Sequence, residues 1–575
     1  MRIGLRYALS AALGLVFAGG LAAQTQPAQS PDHLVITSNQ PRTVSEAVDR
    51  IIAREHQEVA TLRHYSPIIE TYIQDMRWDP QLGSVPERDH YYLGVAELSK
   101  GVVDQSMLPK TSSGWKHKLN PIKDVSSLLG DTYVPEGFLQ MIFVDQNYFD
   151  KQHYRFDYVR NEFLGSVRCL VFDVTPLPKT GPGRFQGRIW VESQDYAIVR
   201  FNGLFVPNTN SLDSSLHFDS WRTNVAPNQW IPSYIYSAES GKKDFPLGHA
   251  TYRSQTRLWG YNPKLGSHET EFSDLQIEAA KPVQDQAAAS NDAQQDWERE
   301  GENNVIDRLE RNGLLAPAGP LDKVMNTVTN NLEVTNNLDI EPEIRCRVLL
   351  TSTLEAFTIG HTIVLSRGLL DVLPDEPSLA AILAHQLGAV VSGSGLRDDY
   401  SFSDTTMVST ADTMKRMSFR NTEGDEEVAA NKAMELLKNS PYKSQLGTAG
   451  LFFKQLAAEQ KQLPSLISAN LGNQVFMATQ LIQAAPALQP MKVDQITALP
   501  LGSRTLLNSW DDTVDMAKTK PVQVLSARAK MPFEITPSMP YLTRYQNSDA
   551  ASADLANADV VKQNPNPNPN PPKQK

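Results

Sequence analysis

Between about Tyr133 and Tyr261 the chain is written in short segments that alternate apolar and polar positions and are rich in aromatic and β-branched residues. The clearest are 167–174, 187–192, 197–201 and 230–236. A side-chain period of two buries one face and wets the other, so these segments predict strands of an antiparallel sheet. Glu192 to Tyr196 has the length of a hairpin turn, and the Pro- and Gly-rich run from Pro176 is a longer connection. Upstream, with Thr43 as cap, Ala47, Ile51, Ile52, Val59 and Leu62 recur on one helical face until Pro67 ends the pattern. His56 and His64 lie two turns apart in this helix. With no third ligand nearby, they are expected at the surface or in packing.

At 575 residues the chain exceeds one ordinary core, so two or three domains are expected. Arg2 and Arg6 precede the apolar run Ala8 to Phe17 and a small-residue stretch ending at Ala23. Residues 1–23 therefore read as a cleavable secretion signal. The run is short for a bilayer span, no stop-transfer pattern follows, and no cysteine stands ready for a lipid. The mature chain is expected to be periplasmic or secreted, with no transmembrane segment after signal cleavage. A net charge of −11 without clustered Lys and Arg argues against nucleic acid as a partner. The two cysteines, Cys169 and Cys346, are far apart and read as buried small hydrophobes, not a disulfide framework. An Ala, Gln, Asp, Asn and Glu-rich stretch over 279–302 marks a boundary, and the Asn-Pro repeats of 546–575 predict a disordered tail. The expected units are thus a helix-plus-sheet module over 40–278 and a second domain over 303–545.

The second domain carries the chemistry. Cys346 to Thr351 predicts a strand, Glu355 to Phe357 a turn, and Thr362 to Ser366 a strand leading into Arg367-Gly-Leu-Leu370. After Asp375-Glu-Pro377, the run from Ser378 to Val391 places Leu379, Ile382, Leu383 and Val390 at helical spacing. A later segment reads Glu427-Val-Ala-Ala-Asn431. In this order and wording, the chain from about Val305 to Arg504 resembles the gluzincin peptidases of the HtpX and BepA type, metallopeptidase family forty-eight. The resemblance implies a mostly α-helical domain in which a helix bears His-Glu-x-x-His and a later helix supplies Glu-x-x-Ala-Asp. In that motif two histidines four apart bind zinc, the intervening Glu takes a proton from the zinc-bound water, and the downstream Glu is the third protein ligand.

Carried over residue by residue, the pattern is broken. His385 stands at the first ligand and Glu427 at the downstream one, but Ala389 replaces the second histidine and has no donor atom. Gln386 stands at the base position, and a carboxamide cannot accept and return a proton near neutral pH. Asn431 replaces the supporting Asp, Ser394 stands where a further histidine is common, and Glu355 replaces the turn Asn. In the segment Thr497 to Arg504, Leu499 takes a histidine position while Arg504 is kept. His361 is the one upstream histidine that could join His385 and Glu427 in an altered ligand set. The resemblance also makes Thr362, Ile363, Val364, Leu365 and Ser366 the edge strand that pairs with extended substrate, a role that needs only backbone groups.

The N-terminal sheet resembles, more loosely, the half-barrel carriers and sorting proteins of outer-membrane lipoproteins, through its Gly-Arg-Ile-Trp-Val strand, short turn and Ile-Val-Arg-Phe strand. That resemblance implies a concave apolar face for an acyl chain or lipoprotein; the bare alternative is a sheet packed on its own helix. The sequence thus predicts an α+β chain, an N-terminal helix and antiparallel half-barrel-like sheet followed by a gluzincin-like domain. The functional expectation is a catalytically inactive peptidase relative that binds envelope polypeptides or lipoproteins, with no cofactor unless an active site retains zinc. Two alternatives stay open: a zinc metalloendopeptidase with altered ligands, and a lipid or lipoprotein carrier acting through the sheet.

Overall fold

The computed structural model describes residues 41, 43–79, 83–99, 101–103, 135–181, 183–206, 215–240, 251–261, 286–393, 417–475, 479–485, 499–502, 504–517 and 533–545. The expected signal at 1–23 and tail at 546–575 lie outside them, as do Ser394 and Asn-Pro repeats. No described helix is long and apolar enough to cross a membrane.

Helix α1 (Val44–Leu62) starts where expected, with the Thr43 side chain accepting the Glu46 N–H. His56 is exposed on it and His64 is exposed in the turn just after it. Ten strands then form one open antiparallel sheet in the order β3-β2-β1-β10-β9-β8-β7-β6-β5-β4. They are β1 (Ile68–Asp79), β2 (Gly83–Glu97), β3 (Gly101–Val103), β4 (Tyr154–Leu164), β5 (Val167–Pro176), β6 (Phe185–Glu192), β7 (Ile198–Phe205), β8 (Ser215–Ala226), β9 (Gln229–Ser240) and β10 (Thr251–Trp259). Strands β4 to β10 lie within the stretch read as antiparallel strands, with the four named segments in β5, β6, β7 and β9. β1 and β2 extend the sheet upstream of it, with β1 closing against β10. The hairpin at 192–196 is held by the Glu192 carboxylate, which accepts the N–H groups of Gln194 at 2.8 Å and Asp195 at 2.6 Å.

One face of this sheet is covered by the chain's own residues. Val48, Ile51 and Val59 of α1, with Phe138, Ile142, Phe143 and Phe149, pack on Ile69, Ile73, Phe172, Ile189, Phe201 and Ile235. The cover is locked by Arg222 of β8, fully buried, whose guanidinium makes two 2.7 Å bonds to Glu55 of α1. A fork-to-fork pair of this kind fixes the helix orientation as well as neutralising both charges.

Helix α3 (Gln286–Arg311; α2 is the short Pro135–Gln140) takes in the described part of the stretch 279–302 expected as a linker. Ala, Gln and Glu are good helix formers, and one buried residue anchors the stretch. Glu302 is fully buried and accepts from His361, Thr362 and Arg299. Next come α4 (Pro320–Thr335), β11 (Arg345–Leu349), β12 (Glu355–Ile359) and β13 (Thr362–Ser366). α5 (Arg367–Val372), α6 (Glu376–Val391), α7 (Glu423–Lys438), α8 (Leu446–Glu459), α9 (Pro464–Ile467) and the two-residue β14 (Asn473–Gln474) follow. The second sheet has the order β11-β13-β12-β14, and α6 packs against it between α4, α7 and α8. Every residue of α6 from Pro377 to Ala389 is buried, so it is the central helix of this half.

The two halves share a continuous core: Ile68, Tyr72, Leu93 and Trp259 of the large sheet join the residues around α6. The polar seam is equally specific. Glu70 accepts from the Ser352 N–H, the Ser352 hydroxyl at 2.7 Å and Arg367 at 2.9 Å. Asp89 accepts the N–H groups of Ser465 at 2.9 Å and Leu466 at 2.8 Å, capping α9. Residues 533–545 then leave the second half and run over the other face of the large sheet. Gln74 bonds the Phe533 carbonyl and the Ile535 N–H, Ser166 N–H donates to the Leu542 carbonyl at 2.9 Å, and Leu542 joins Cys169, Trp190, Trp221 and Trp230. The expected single unit over 303–545 is therefore stitched onto the first module at its C-terminal end.

Candidate functional site

The inner helix α6 carries His385, which is 1 % exposed, and Gln386, which is 3 % exposed. The Gln386 amide nitrogen lies 3.2 Å from His385 Nδ1. An amide N–H donated to Nδ1 leaves the proton of a neutral imidazole on Nε2. That nitrogen faces a carboxylate, at 3.3 Å from Glu426 Oε2.

The carboxylate is Glu426, not Glu427. On α7, Glu426, Ala429, Ala433, Leu436 and Leu437 share the inward face, and Ala429, Ala433, Leu436 and Leu437 are buried; Glu427 is exposed beside exposed Val428. The helical period decides it, because one residue is a rotation of about 100°. Glu426 to Ala429 satisfies the Glu-x-x-Ala wording as well as Glu427 to Ala430 does, and Ala430, not Asn431, then stands at the final position. The i, i+3, i+7 spacing of Glu426, Ala429 and Ala433 carried this information in the sequence.

Close approach of α6 and α7 depends on small residues. A Cβ on Gly388 would meet the Ala429 carbonyl at 2.7 Å and the Ala433 nitrogen at 3.3 Å. Ala389, four residues after His385 on the same helix, is fully buried. Glu426 is also held from the far side, its Oε1 accepting from Asn421 at 2.9 Å and Asn473 at 2.6 Å. Burial raises the Glu426 pKa, but His385 and the Asn421 hydrogen bond outweigh it and the net shift is downward. The carboxylate is thus satisfied as an anion by the protein itself.

Asn473 belongs to β14, which pairs with β12 through Glu355 and Ala356, so the pair is wired to the sheet margin. Glu355 itself, expected in a turn, begins strand β12; its fully buried carboxylate accepts the N–H groups of Asn470, Leu471 and Gly472 and the Thr353 hydroxyl. Phe419, just before α7, stacks on Phe357 with centroids 4.8 Å apart.

Three further expectations change. Thr362, Ile363, Val364, Leu365 and Ser366 do not form an edge: β13 is paired with β11 in parallel and β12 antiparallel, and all five residues are buried. On its other side β12 is bordered by the two-residue β14, which among the described residues pairs only with Glu355 and Ala356. Arg504 does not join the His385 group. Its guanidinium donates to the carbonyls of Leu373 and Pro374, ahead of α6, and its N–H goes to Asp371 at 2.7 Å. It clamps the α5–α6 junction, while the Leu499 N–H donates to Val372. His361 is committed elsewhere too, its N–H and Nδ1 bonded to Glu302 at 2.6 and 3.1 Å.

Among the described residues His385 and Glu426 supply two donors at this point, one fewer than a tetrahedral zinc site with three protein ligands needs. Among the described residues no group of three or more His, Cys, Asp or Glu side chains is gathered closely enough to hold a metal. Compared with known proteins, the chain matches no family model and no curated protein sequence.

Proposed function

We propose that this chain is an exported, catalytically inactive relative of the gluzincin peptidases that binds extended segments of envelope polypeptides without cleaving them. The observation that carries the reading is the closed pair of His385 and Glu426, with Gln386 on the other imidazole nitrogen. A general base and a second imidazole are both missing from the helix that would bear them, and each loss alone is severe: removing a base costs on the order of 10²–10⁴ in rate. The retained carboxylate is spent on hydrogen bonds from Asn421 and Asn473.

Peptide binding needs only a strand margin, and the reading assigns it to the outer side of β12 over 357–359, beyond the two residues that β14 covers. The exported character rests on the Arg2, Arg6 and Ala8 to Phe17 pattern. The carrier alternative is disfavoured because α1 and the 138–149 segment fill the apolar sheet face.

Binding is tested with a fluorescein-labelled, reduced and carboxymethylated test polypeptide. Anisotropy is expected to saturate at micromolar protein, with the probe intact on a gel and amide exchange over 355–359 slowed in the complex. Cleavage of the probe, or no binding at 100-fold higher protein, would reject the reading.

A further inference from the structure

Strand β4 ends the large sheet. It is bonded to β5 on one side, and among the described residues no strand lies on the other. The opposite end, β3, is only three residues long, whereas β4 runs for eleven. A long margin of free N–H and C=O groups is a template for another strand. This one also shows apolar side chains, with Tyr158 44 %, Val159 37 % and Phe163 66 % exposed.

Its charges are arranged unusually. Arg155 and Asp157 bond each other at 2.8 Å, as do Arg160 and Glu162 at 2.5 Å. In an unbroken strand residues 155 and 157 would face opposite to residues 160 and 162. Here the register against β5 shifts between Tyr158 and Arg160, leaving Val159 as an extra residue. The bulge places all four charges on the sheet face that holds Trp190, whose indole N–H reaches Glu162 at 3.2 Å. On that face Asp157 stands directly opposite Asp173 of β5, and each carboxylate holds its own arginine, Arg155 and Arg188 respectively.

The order Arg155, Asp157, Arg160, Glu162 is its own complement when reversed. Two copies of β4 laid antiparallel about a two-fold axis between Tyr158 and Val159 set each Arg155 against the other copy's Glu162. The same operation sets each Asp157 against the other copy's Arg160 and each Tyr158 against Val159. One axis thus satisfies four charges and both central apolar residues per copy, the self-matching that an isologous interface requires.

We propose that β4 is a dimerisation strand, and that a second copy of this chain adds to it antiparallel, joining two ten-stranded sheets into one. The interface is independent of the His385 pair, so its failure leaves the proposed function standing.

Sedimentation velocity of the full chain at 100 micromolar and low ionic strength tests this. The expected species is twice 63.9 kDa. Asp157→Arg and Arg160→Asp, each an exposed change, are expected to raise the dimer dissociation constant at least tenfold by setting like charges together. The double variant carrying both restores the complement and is expected to dimerise within threefold of the parent. Circular dichroism confirms that each remains folded. A monomeric parent, single variants that dimerise normally, or a folded double variant that stays monomeric would each overturn the proposal; so would a stable complex with an unrelated extended peptide at β4 that excludes the second copy.

Discussion

Arg367, at the start of α5, reaches Glu70 near the start of β1 at 2.9 Å, and both side chains are excluded from solvent. The same arginine donates to the Leu350 carbonyl at 3.0 Å, and Glu70 takes two bonds from Ser352. The Arg-Gly-Leu-Leu wording that opens the second half thus has a structural purpose. Arg367 docks on the first sheet, while Gly368 lies where any Cβ would collide with the Ser352 carbonyl.

Breaking this pair strands a charge in the core, which costs ~3–5 kcal/mol when one partner is removed. Arg367→Met is therefore expected to lower the urea unfolding free energy by about that amount. It should also split a single transition into two, because the seam it removes couples the halves. Unchanged unfolding, followed by tryptophan fluorescence and far-ultraviolet circular dichroism together, would contradict the shared core.

The α6–α7 contact gives a second prediction. Gly388→Val forces a side chain against the Ala429 carbonyl, and overpacking of this kind costs ~1–3 kcal/mol. Ala389→Gly, which adds nothing to the contact, serves as the control. The expected result is a lower denaturation midpoint for the first variant, with the distance between the helices increased.

Glu426 also makes acid stability predictable. Its folded pKa lies below the ordinary carboxylate value: burial raises it, but His385 and the Asn421 hydrogen bond together outweigh burial. A carboxylate with a depressed folded pKa contributes stability that is present above its unfolded value, near 4.5, and lost as pH falls through the folded value. Glu426→Gln is expected to narrow the stability gap to the parent as pH falls below this point. A gap independent of pH between 3 and 7 would show that Glu426 is not held as a carboxylate in the folded chain.

Cys169 and Cys346 are both buried, and burial pushes each thiol pKa up to about 12. Neither is expected to react with a chromogenic disulfide reagent at pH 8 in the native chain, and both should react in urea. Reaction of either in the folded protein would place it at the surface.

Much of the fold was legible because burial writes a period into sequence. The alternation over 167–201 became β5 to β7, and the Asp375 cap with its apolar run became α6. What was not legible depended on partners distant in the chain. β1 carries Glu70, Thr71 and Gln74 as buried polar residues because Ser352, Thr256 and the 533–535 segment satisfy them. Without those partners the strand does not look like a core strand. Strand order is likewise non-local, which is why β13 could be taken for an edge when β11 and β12 flank it. At the site, His385 and Gln386 were readable, while the choice of Glu426 over Glu427 turned on one residue of helical phase.

The His385–Glu426 pair is tested most directly by metal analysis of the purified full chain after dialysis against micromolar zinc. The account predicts far less than one zinc per chain, no change on His385→Ala, and no chelator-sensitive hydrolysis of an unfolded polypeptide. One equivalent of zinc that disappears with His385→Ala, together with hydrolysis that a chelator abolishes, would contradict it.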